Sequence, residues 1–188
     1  MRTLFSFQMI ALDGFFEGAK RELDWHNVDS EFNEFADRQL STVDTLLFGR
    51  VTYQMMASFW PTATESDPII ANKMNSLAKL VFSRTLSTVD WNNSRLIKGN
   101  IAEEVSKLKN QPGKDIAILG SAAILSALME ANLIDEHRLM IAPIILGAGN
   151  PLFSNLERRH QLKLLRSMTF KSGNVLLVYQ PDNNMKNP

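Results

Sequence analysis

Three short segments of the sequence combine arginine, hydroxyl side chains and glycine in a way that suits the binding of phosphate groups. Each follows an apolar run that resembles a buried strand: Phe48–Thr52, Phe82–Thr85 and Leu119–Ser121. Guanidinium groups, hydroxyl donors and the free N–H groups of a helix start all bind phosphates well. Ligands of an open α/β sheet bind at the carboxyl ends of its parallel strands. If the three strands are parallel neighbours, one cleft gathers these side chains: Arg50, Thr52, Ser83, Arg84 and Ser121.

Each of these residues also has a purely structural interpretation. An arginine near a strand end is often a solvated surface residue, and Thr52 is equally a plausible donor at the first turn of a helix. Gly120 can serve only to tighten the turn between a strand and a helix. The phosphate interpretation therefore depends on the joint occurrence of these residue types at three strand ends.

The segment Asp115–Phe153 supplies the local structure that would position one of these sites. Ile116–Leu119 is a short apolar run typical of a strand that is buried on both faces. Apolar residues recur with helical spacing over Ala122–Ala131, and Arg138–Ala142 is again strand-like. The segment therefore predicts a strand, a Gly-Ser turn, a helix and a second strand, followed by a turn-rich loop.

The same alternation of strands and helices extends along most of the chain. Further strands are predicted over Thr3–Ala11, Asp44–Phe48, Lys79–Phe82 and Arg95–Ile97. Further helices are predicted over Ser30–Thr42 and Arg50–Phe59, from Ser66 and from Asn100. Leu162–Leu165 and Val175–Tyr179 predict a C-terminal antiparallel hairpin. We therefore expect a three-layer α/β fold with a mostly parallel central sheet and an antiparallel edge hairpin, formed by residues 1–180 as one domain and followed by a polar tail, 181–188.

The composition excludes several classes of function. The chain has 188 residues, 20 basic and 20 acidic side chains, and no cysteine. A net charge of zero without a charged block argues against nucleic acid or a membrane surface as a main partner. Thiolate sites and disulfides are absent, and the three histidines lack the spacing of a metal site. The N-terminal segment does not resemble a signal peptide, so we expect a cytoplasmic protein.

Several segments together resemble a known family, and they do so in the same order and with similar spacing. They are Leu12–Gly14, Leu47–Tyr53, Lys79–Arg84, Ile118–Ala122, Leu133–Arg138 and Pro143–Phe153. With them, nearly the whole chain resembles the dihydrofolate-reductase-like family. That family includes the reductase domain of the riboflavin-pathway bifunctional deaminase/reductase.

The resemblance implies that the chain binds NADPH, the 2′-phosphorylated form of the reduced nicotinamide cofactor. By their positions, Gly49, Arg50 and Thr52 would hold the phosphates, and Ser83 and Arg84 would hold the adenosine 2′-phosphate. Gly120, Ser121 and Ala122 would line the pyrophosphate and the nicotinamide ribose. The backbone near Ala11 would face the nicotinamide amide.

The resemblance also implies a reductase like dihydrofolate reductase or 5-amino-6-(5-phosphoribosylamino)uracil reductase. Its substrate would be a small flat heterocycle or carbonyl, of the pterin or aminopyrimidine type. True dihydrofolate reductases have two adjacent glycines where this chain has Gly120-Ser121, and no arginine can be assigned to the glutamate tail of folate. Both departures argue against folate. The alternative is a nucleotide-binding module without turnover, with a regulatory role.

The residue that assists protonation is less clearly marked in the sequence. In true dihydrofolate reductases a carboxylate near the start of the second element serves this step. By its spacing after Trp25, Glu31 corresponds best, with Asp29 as a rival, and Asp13 is an alternative beside the nicotinamide. Each has a structural interpretation: Glu31 as a solvated acid, Asp29 as a helix cap and Asp13 as a turn former.

The resemblance and the C-terminal sequence also predict a homodimer. Val175–Val178 is an apolar run that we expect at a sheet edge, where apolar strands tend to be paired or covered. Pro143–Leu146 and Leu152–Phe153 would extend this apolar surface. The alternative is that all three segments pack inside a monomer.

Overall fold

A computed structural model describes residues 1–154 and 156–182 and contains ten strands and five helices. The strands are β1 (Leu4–Ala11), β2 (Phe15–Gly18), β3 (Val43–Gly49), β4 (Ala78–Phe82), β5 (Ser94–Ile97), β6 (Asp115–Leu119), β7 (Glu136–Ala142), β8 (Gly149–Pro151), β9 (Leu162–Thr169) and β10 (Val175–Pro181). The helices are α1 (Ser30–Ser41), α2 (Arg50–Phe59), α3 (Pro68–Ser76), α4 (Ile101–Lys109) and α5 (Ala122–Glu130).

Eight of the strands form one sheet in the order β5-β4-β3-β6-β1-β7-β10-β9. The first six pair in parallel, whereas β10 pairs antiparallel with both β7 and β9. The predicted mostly parallel sheet with an antiparallel hairpin at its edge is therefore confirmed. The predicted Gly-Ser unit is also present as β6, α5 and β7.

The first strand is central, and six of its eight side chains are apolar, the exceptions being Ser6 and Gln8. Seven of the eight residues of β1 are buried, and the strand lies between β6 and β7. Predominantly apolar strands of this kind are typical of parallel strands that are covered on both sides. Because β1 is central, its carboxyl end lies beside the carboxyl ends of β6 and β3.

Helices cover both faces of the sheet and give the predicted three layers. In β3, the neighbouring residues Leu46 and Leu47 point to opposite faces and belong to two different apolar clusters. The cluster around Leu47 contains side chains of α4 and α5. The cluster around Leu46 contains side chains of α1, α2 and α3.

The structure corrects two expectations about the C-terminal region. β10 is not an edge strand, because β9 lies outside it and forms the edge of the sheet. The run Val175–Val178 is therefore paired on both sides, with Leu176 and Val178 in the core. Leu152 adds no surface, because it is fully buried, whereas Phe153 is 42% exposed. The exposed apolar side chains of the hairpin belong to β9 instead.

A small second sheet was not predicted. β2 and β8 pair antiparallel, between two segments for which the sequence analysis predicted no strand. Both strands are short, and each needs a partner more than 130 residues away, so neither leaves a local pattern in the sequence.

The C-terminal tail predicted over 181–188 lies mostly outside the described residues. Pro181 ends β10, where it pairs with Leu162, and 183–188 are not described. Within the described part of the chain, none of the helices has both the length and the apolar character of a membrane span.

Candidate active site

The carboxyl ends of β4, β3 and β6 lie side by side at one edge of the sheet, as the phosphate interpretation requires. The three strands are parallel neighbours, and Gly49 at the end of β3 pairs with Phe82 at the end of β4. Phe82 pairs in turn with Ile97, which ends β5. The strand ends that carry Arg50, Ser83 and Ser121 therefore meet along one edge.

Two helices that start at this edge have free N–H groups. α1, α3 and α4 are each capped by a side chain, from Asp29, Asp67 and Asn100 respectively. α2 and α5 begin at Gly49 and Ser121 without a side-chain cap hydrogen bond. The first N–H groups of a helix need a partner, and together with the helix dipole they attract anions. The two helix starts suited to phosphate are therefore the two that no side chain occupies.

The turn between β6 and α5 is unusual because two successive residues adopt a left-handed backbone. Gly120 and Ser121 each have a φ of 66°. For a residue other than glycine this conformation costs about 1–2 kcal/mol. Ser121 nevertheless accepts a hydrogen bond at Oγ from the Gly49 N–H, at 3.2 Å, and so joins the two turns.

Close contacts around this turn explain why two positions are glycine. A Cβ atom on Gly49 would lie 2.5 Å from Oγ of Ser121, and one on Gly120 would lie 3.1 Å from Cγ2 of Thr52. Gln8 is buried on β1, and its Nε2 donates to the Gly120 carbonyl at 3.2 Å. The starts of α2 and α5 are therefore fixed against each other and against β1.

A cleft of about 450 Å³ opens beside the Gly120-Ser121 turn. Its walls come from β1, from one side of α1, from α2, from the loop after β2 and from the start of α3. Most of its lining is apolar or aromatic, including Phe7, Phe16, Phe32, Val51, Met55 and Trp60. Flat apolar walls of this kind suit a planar ring system.

A second cavity, of about 280 Å³, lies at the same sheet edge on the other side of the α5 start. It contains Ser83 and Arg84 after β4, together with Lys98 and Asn100 after β5. The Oγ of Ser83 accepts hydrogen bonds from the N–H groups of Thr85 and Leu86, at 3.2 and 3.1 Å, which fixes the turn. Arg84 is exposed and makes no hydrogen bond within the described residues. Its guanidinium is therefore available to an anion.

The charged groups that line the large cleft already have partners. Glu17 accepts a hydrogen bond from Nδ2 of Asn150 at 2.6 Å, and Asp67 caps α3 by accepting from the N–H of Ile70. Burial lowers the pKa of His26 to about 4, so its imidazole is neutral at pH 7. Its Nε2 is buried and has no hydrogen-bond partner among the described residues.

The two carboxylates predicted to assist protonation lie outside the lining of this cleft. Oε2 of Glu31 accepts a hydrogen bond from the Lys171 N–H at 2.8 Å, which ties α1 to the turn between β9 and β10. Asp13 accepts from the N–H groups of Leu146 and Gly147, at 3.3 and 2.8 Å. In this conformation each carboxylate accepts hydrogen bonds from the backbone of a loop, and its role as a proton donor stays a prediction. The rival Asp29 caps α1.

The remaining cofactor candidates lie near the cleft in different ways. Thr52, Gly120 and Ser121 line it directly, whereas Arg50 is exposed at the first residue of α2 and donates to Gln54. Ala122 is the first residue of α5. Ala11 is fully buried outside the lining, and its carbonyl accepts from the Gly14 N–H at 2.9 Å.

Several lining residues were missed by the sequence analysis. On α1 they include Phe32, Asn33 and Ala36, and on β1 they include Gln8. Phe32 and Ala36 recur with helical spacing, and nothing in such a local pattern separates a core face from a cleft wall. Lys98 and Asn100 could have been found by extending the strand-end rule to Arg95–Ile97.

The chain is similar in sequence to one described domain family. The model of the "RibD C-terminal domain" family matches residues 2–176. The uncharacterized protein YyaP of Bacillus subtilis is 39% identical over 174 residues, which cover 90% of each protein.

Solved structures show the same fold. A putative riboflavin biosynthesis protein from Shewanella sp. PV-4 superimposes with a TM-score of 0.74 at 26% identity, over 96% of this chain and 99% of that one. Dihydrofolate reductase from Enterococcus faecalis, solved in complex with NADP(H), superimposes with a TM-score of 0.66 at 14% identity, over 96% and 97% of the two chains. The fold is therefore dihydrofolate-reductase-like.

Proposed function

The chain belongs to the RibD C-terminal domain family, and on this basis we propose that it is an NADPH-dependent reductase of a small flat heterocycle or carbonyl compound. Family membership and fold support an oxidoreductase of the RibD and dihydrofolate reductase type. The cofactor and the class of substrate are our proposal.

The observation that carries the proposal is the pair of cavities along one sheet edge, with two uncapped helix starts beside them. A dinucleotide has two ends and a pyrophosphate between them. The smaller cavity suits the adenosine end, the helix starts suit the phosphates, and the larger cleft suits the nicotinamide with a substrate beside it.

In this arrangement the candidate residues take distinct roles. Gly49, Arg50 and Thr52 bind phosphate oxygens at the start of α2, and Gly120, Ser121 and Ala122 do so at the start of α5. Arg84, Ser83 and the unpredicted Lys98 contact the 2′-phosphate, and the backbone near Ala11 faces the nicotinamide amide. The bound cofactor supplies the hydride, and the apolar walls orient the substrate and exclude water.

The size of the large cleft favours turnover over a binding module. A nucleotide-binding module needs no room beside the nicotinamide. Here a cleft of about 450 Å³ adjoins the Gly120-Ser121 turn, and most of its lining lies beyond that turn. This space supports the presence of a second ligand.

We also propose that the enzyme works in the cytoplasm as a homodimer. The compartment follows from the sequence interpretation and from the supply of reduced nicotinamide cofactor there. The dimer follows from the exposed apolar side chains of β9, which are considered with the whole molecule below.

The decisive experiment measures cofactor binding and cofactor oxidation separately. NADPH should bind to the purified protein, and its absorbance at about 340 nm should fall only when a suitable flat carbonyl or heterocycle is added. The panel includes simple quinones, an unphosphorylated aminopyrimidine and dihydrofolate. Absence of NADPH binding would reject the proposed function, and binding without turnover of any member would favour the binding module.

A further inference from the structure

The large cleft contains no positive charge. Among the residues that the structure describes, neither lysine nor arginine lines it. Its charged side chains are Glu17 and Asp67, and both are acids that already bind protein groups. His26 is neutral at pH 7. Away from the two helix starts, which the proposed cofactor phosphates would occupy, a phosphate or carboxylate in this cleft would lose its hydration without meeting a counter-charge, which is strongly unfavourable.

The polar groups still available in the cleft are uncharged. Asn33 lies on the cleft side of α1, and its amide side chain makes no hydrogen bond within the described residues. The Oγ of Thr52 also lacks a described partner, and it is available as long as the proposed cofactor, whose phosphate it would bind, is absent. An amide and a hydroxyl can donate to a carbonyl oxygen or an imine nitrogen, and they accept as well. They do not compensate a full negative charge.

We propose that this cleft selects uncharged, flat carbonyl or imine compounds and discriminates against phosphorylated and carboxylated ones, with Asn33 as a polar contact. The inference rests on the proposed function, because it takes the cleft as the substrate site. It separates this chain from a reductase of 5-amino-6-(5-phosphoribosylamino)uracil, whose substrate carries a phosphate, and from a folate reductase, whose substrate carries carboxylates.

Positive charge lies near the cleft but is used elsewhere. Nη1 of Arg138 donates to Oε1 of Gln39 at 3.2 Å, and the guanidinium stacks on Phe5 and pairs with Glu136. Lys73 of α3 pairs with Asp37 of α1. Neither cation lines the cleft, and moving either one into it would break an existing ion pair. The selectivity for uncharged ligands therefore follows from the fixed scaffold.

The test uses two probes that share one ring system and differ by a single negative charge. These are 1,4-naphthoquinone and 1,4-naphthoquinone-2-sulfonate, measured by equilibrium dialysis at neutral pH without cofactor. Because the chain has no cysteine, the quinones find no thiol to alkylate. The uncharged quinone should bind at least about tenfold more tightly than the sulfonate. Equal or tighter binding of the sulfonate, or no measurable binding of either probe, would overturn the proposal.

A charge placed in the cleft should reverse this preference. Met55 lines the cleft and is 40% exposed, so Met55→Lys adds a cation without burying it in the core. We expect sulfonate affinity to rise about tenfold in this variant, and likewise in Val28→Lys, since Val28 also lines the cleft and is 52% exposed. Ser58→Lys adds the same charge on α2 at an exposed position outside the lining, and its probe affinities should match those of the wild type. A control that behaves like Met55→Lys would contradict the assignment to this cleft.

Two further measurements separate this inference from the proposed function. Asn33→Leu should weaken the binding of the uncharged quinone several-fold, whereas Asn33→Gln should retain much of it; an unchanged affinity in Asn33→Leu would remove Asn33 from the proposal. NADPH is titrated independently. A protein that prefers the uncharged probe but binds no NADPH would refute the proposed function and leave the charge selectivity standing.

Discussion

At the scale of single residues, Arg84 gives the most direct test of the cofactor. The side chain is exposed in the smaller cavity, close to Ser83 and Lys98, and has no partner within the described residues. A guanidinium–phosphate contact contributes about 1.5–3 kcal/mol, or about tenfold to over a hundredfold in affinity. Wild type should therefore prefer NADPH over NADH, and Arg84→Ala should lose most of that preference in fluorescence titrations.

The matched control for Arg84 is Arg95→Ala. Arg95 is also exposed, on the neighbouring strand β5, but lies outside both cavities. Its loss should leave the ratio of the two affinities unchanged. Equal affinities of wild type for NADPH and NADH, or an unchanged preference in Arg84→Ala, would argue against the assigned 2′-phosphate site.

Two histidines, the buried His137 and the half-buried His26, should make stability depend on pH. Burial lowers the pKa of both His26 and His137 from 6.5 to about 4. At a pH between these values the unfolded chain binds protons that the folded chain does not. These two histidines therefore leave the free energy of unfolding undiminished above about pH 6.5 and lower it as the pH falls towards 4. Each histidine should contribute a slope of about 1 kcal/mol per pH unit within this window.

The measurement is urea unfolding at several values between about pH 7.5 and 4.5, on wild type and His26→Gln. Glutamine retains polar character but does not titrate, so the variant should lose stability less steeply than the wild type below about pH 6.5. Parallel slopes in the two proteins would show that His26 is protonated equally in the folded and unfolded states.

The sequence could identify those site residues whose position follows from a local sequence pattern. Gly120 and Ser121 follow a strand and precede a helix, and their position in the cleft was predictable from that context. Gln8 and Asn33 carry no such signature, because their roles depend on what packs against them from distant parts of the chain. The sequence spacing placed Glu31 at the start of α1, where the structure has it. The direction of its side chain, however, is set by a hydrogen bond from the backbone of a turn 140 residues away.

At the scale of elements, the turn between β6 and α5 must both adopt a left-handed backbone and keep its surface clear. Gly120→Ala should lower the free energy of unfolding by about 1–2 kcal/mol, because its φ is 66° and its Cβ would press on Thr52. It should also weaken NADPH binding, because the added atom disturbs the starts of α2 and α5. Gly120→Val should abolish binding and cost more stability.

Gly147→Ala separates the two effects of this substitution. Gly147 has a similar φ of 74°, but a Cβ there would meet nothing within 4 Å, and it lies outside both cavities. It should cost similar conformational free energy and leave NADPH affinity intact. Thermal unfolding and cofactor titration of both variants measure this. If Gly120→Ala binds NADPH as well as Gly147→Ala, Gly120 is only a turn residue.

The elements that were predictable from sequence are those whose pattern is local. Asp29, Ser66 and Asn100 marked the starts of α1, α3 and α4 to within two residues, and the apolar runs marked the parallel strands. The second sheet and the position of β10 were not predictable in this way. Both depend on which segments pair, and an apolar run such as Val175–Val178 reads the same in an inner strand and at an edge.

At the scale of the whole molecule, the open question is what covers the edge of the sheet at β9. Leu164, Leu165 and Met168 are 49%, 45% and 40% exposed, and the outer backbone groups of β9 have no strand beside them in the main sheet. The strand also has features that discourage indiscriminate pairing, namely a bulge at Leu165 and the charges of Lys163 and Arg166. This combination favours one specific partner over open-ended association, and a second copy of the chain is the simplest partner.

We therefore expect a homodimer that uses β9. Light scattering at micromolar concentration should give a mass near twice 21.2 kDa.

Replacing Leu164 and Met168 by lysine should yield a folded monomer, because both side chains are largely exposed and contribute little to the core. Ile69→Lys is the matched control, since Ile69 is 61% exposed on α3, which leads into β4 near the opposite edge of the sheet from β9. A chain truncated after Pro181 should still form a dimer, because β9 and β10 remain complete. A wild-type mass near 21.2 kDa would reject the dimer, and a dimer that survives the double substitution would move its interface away from β9.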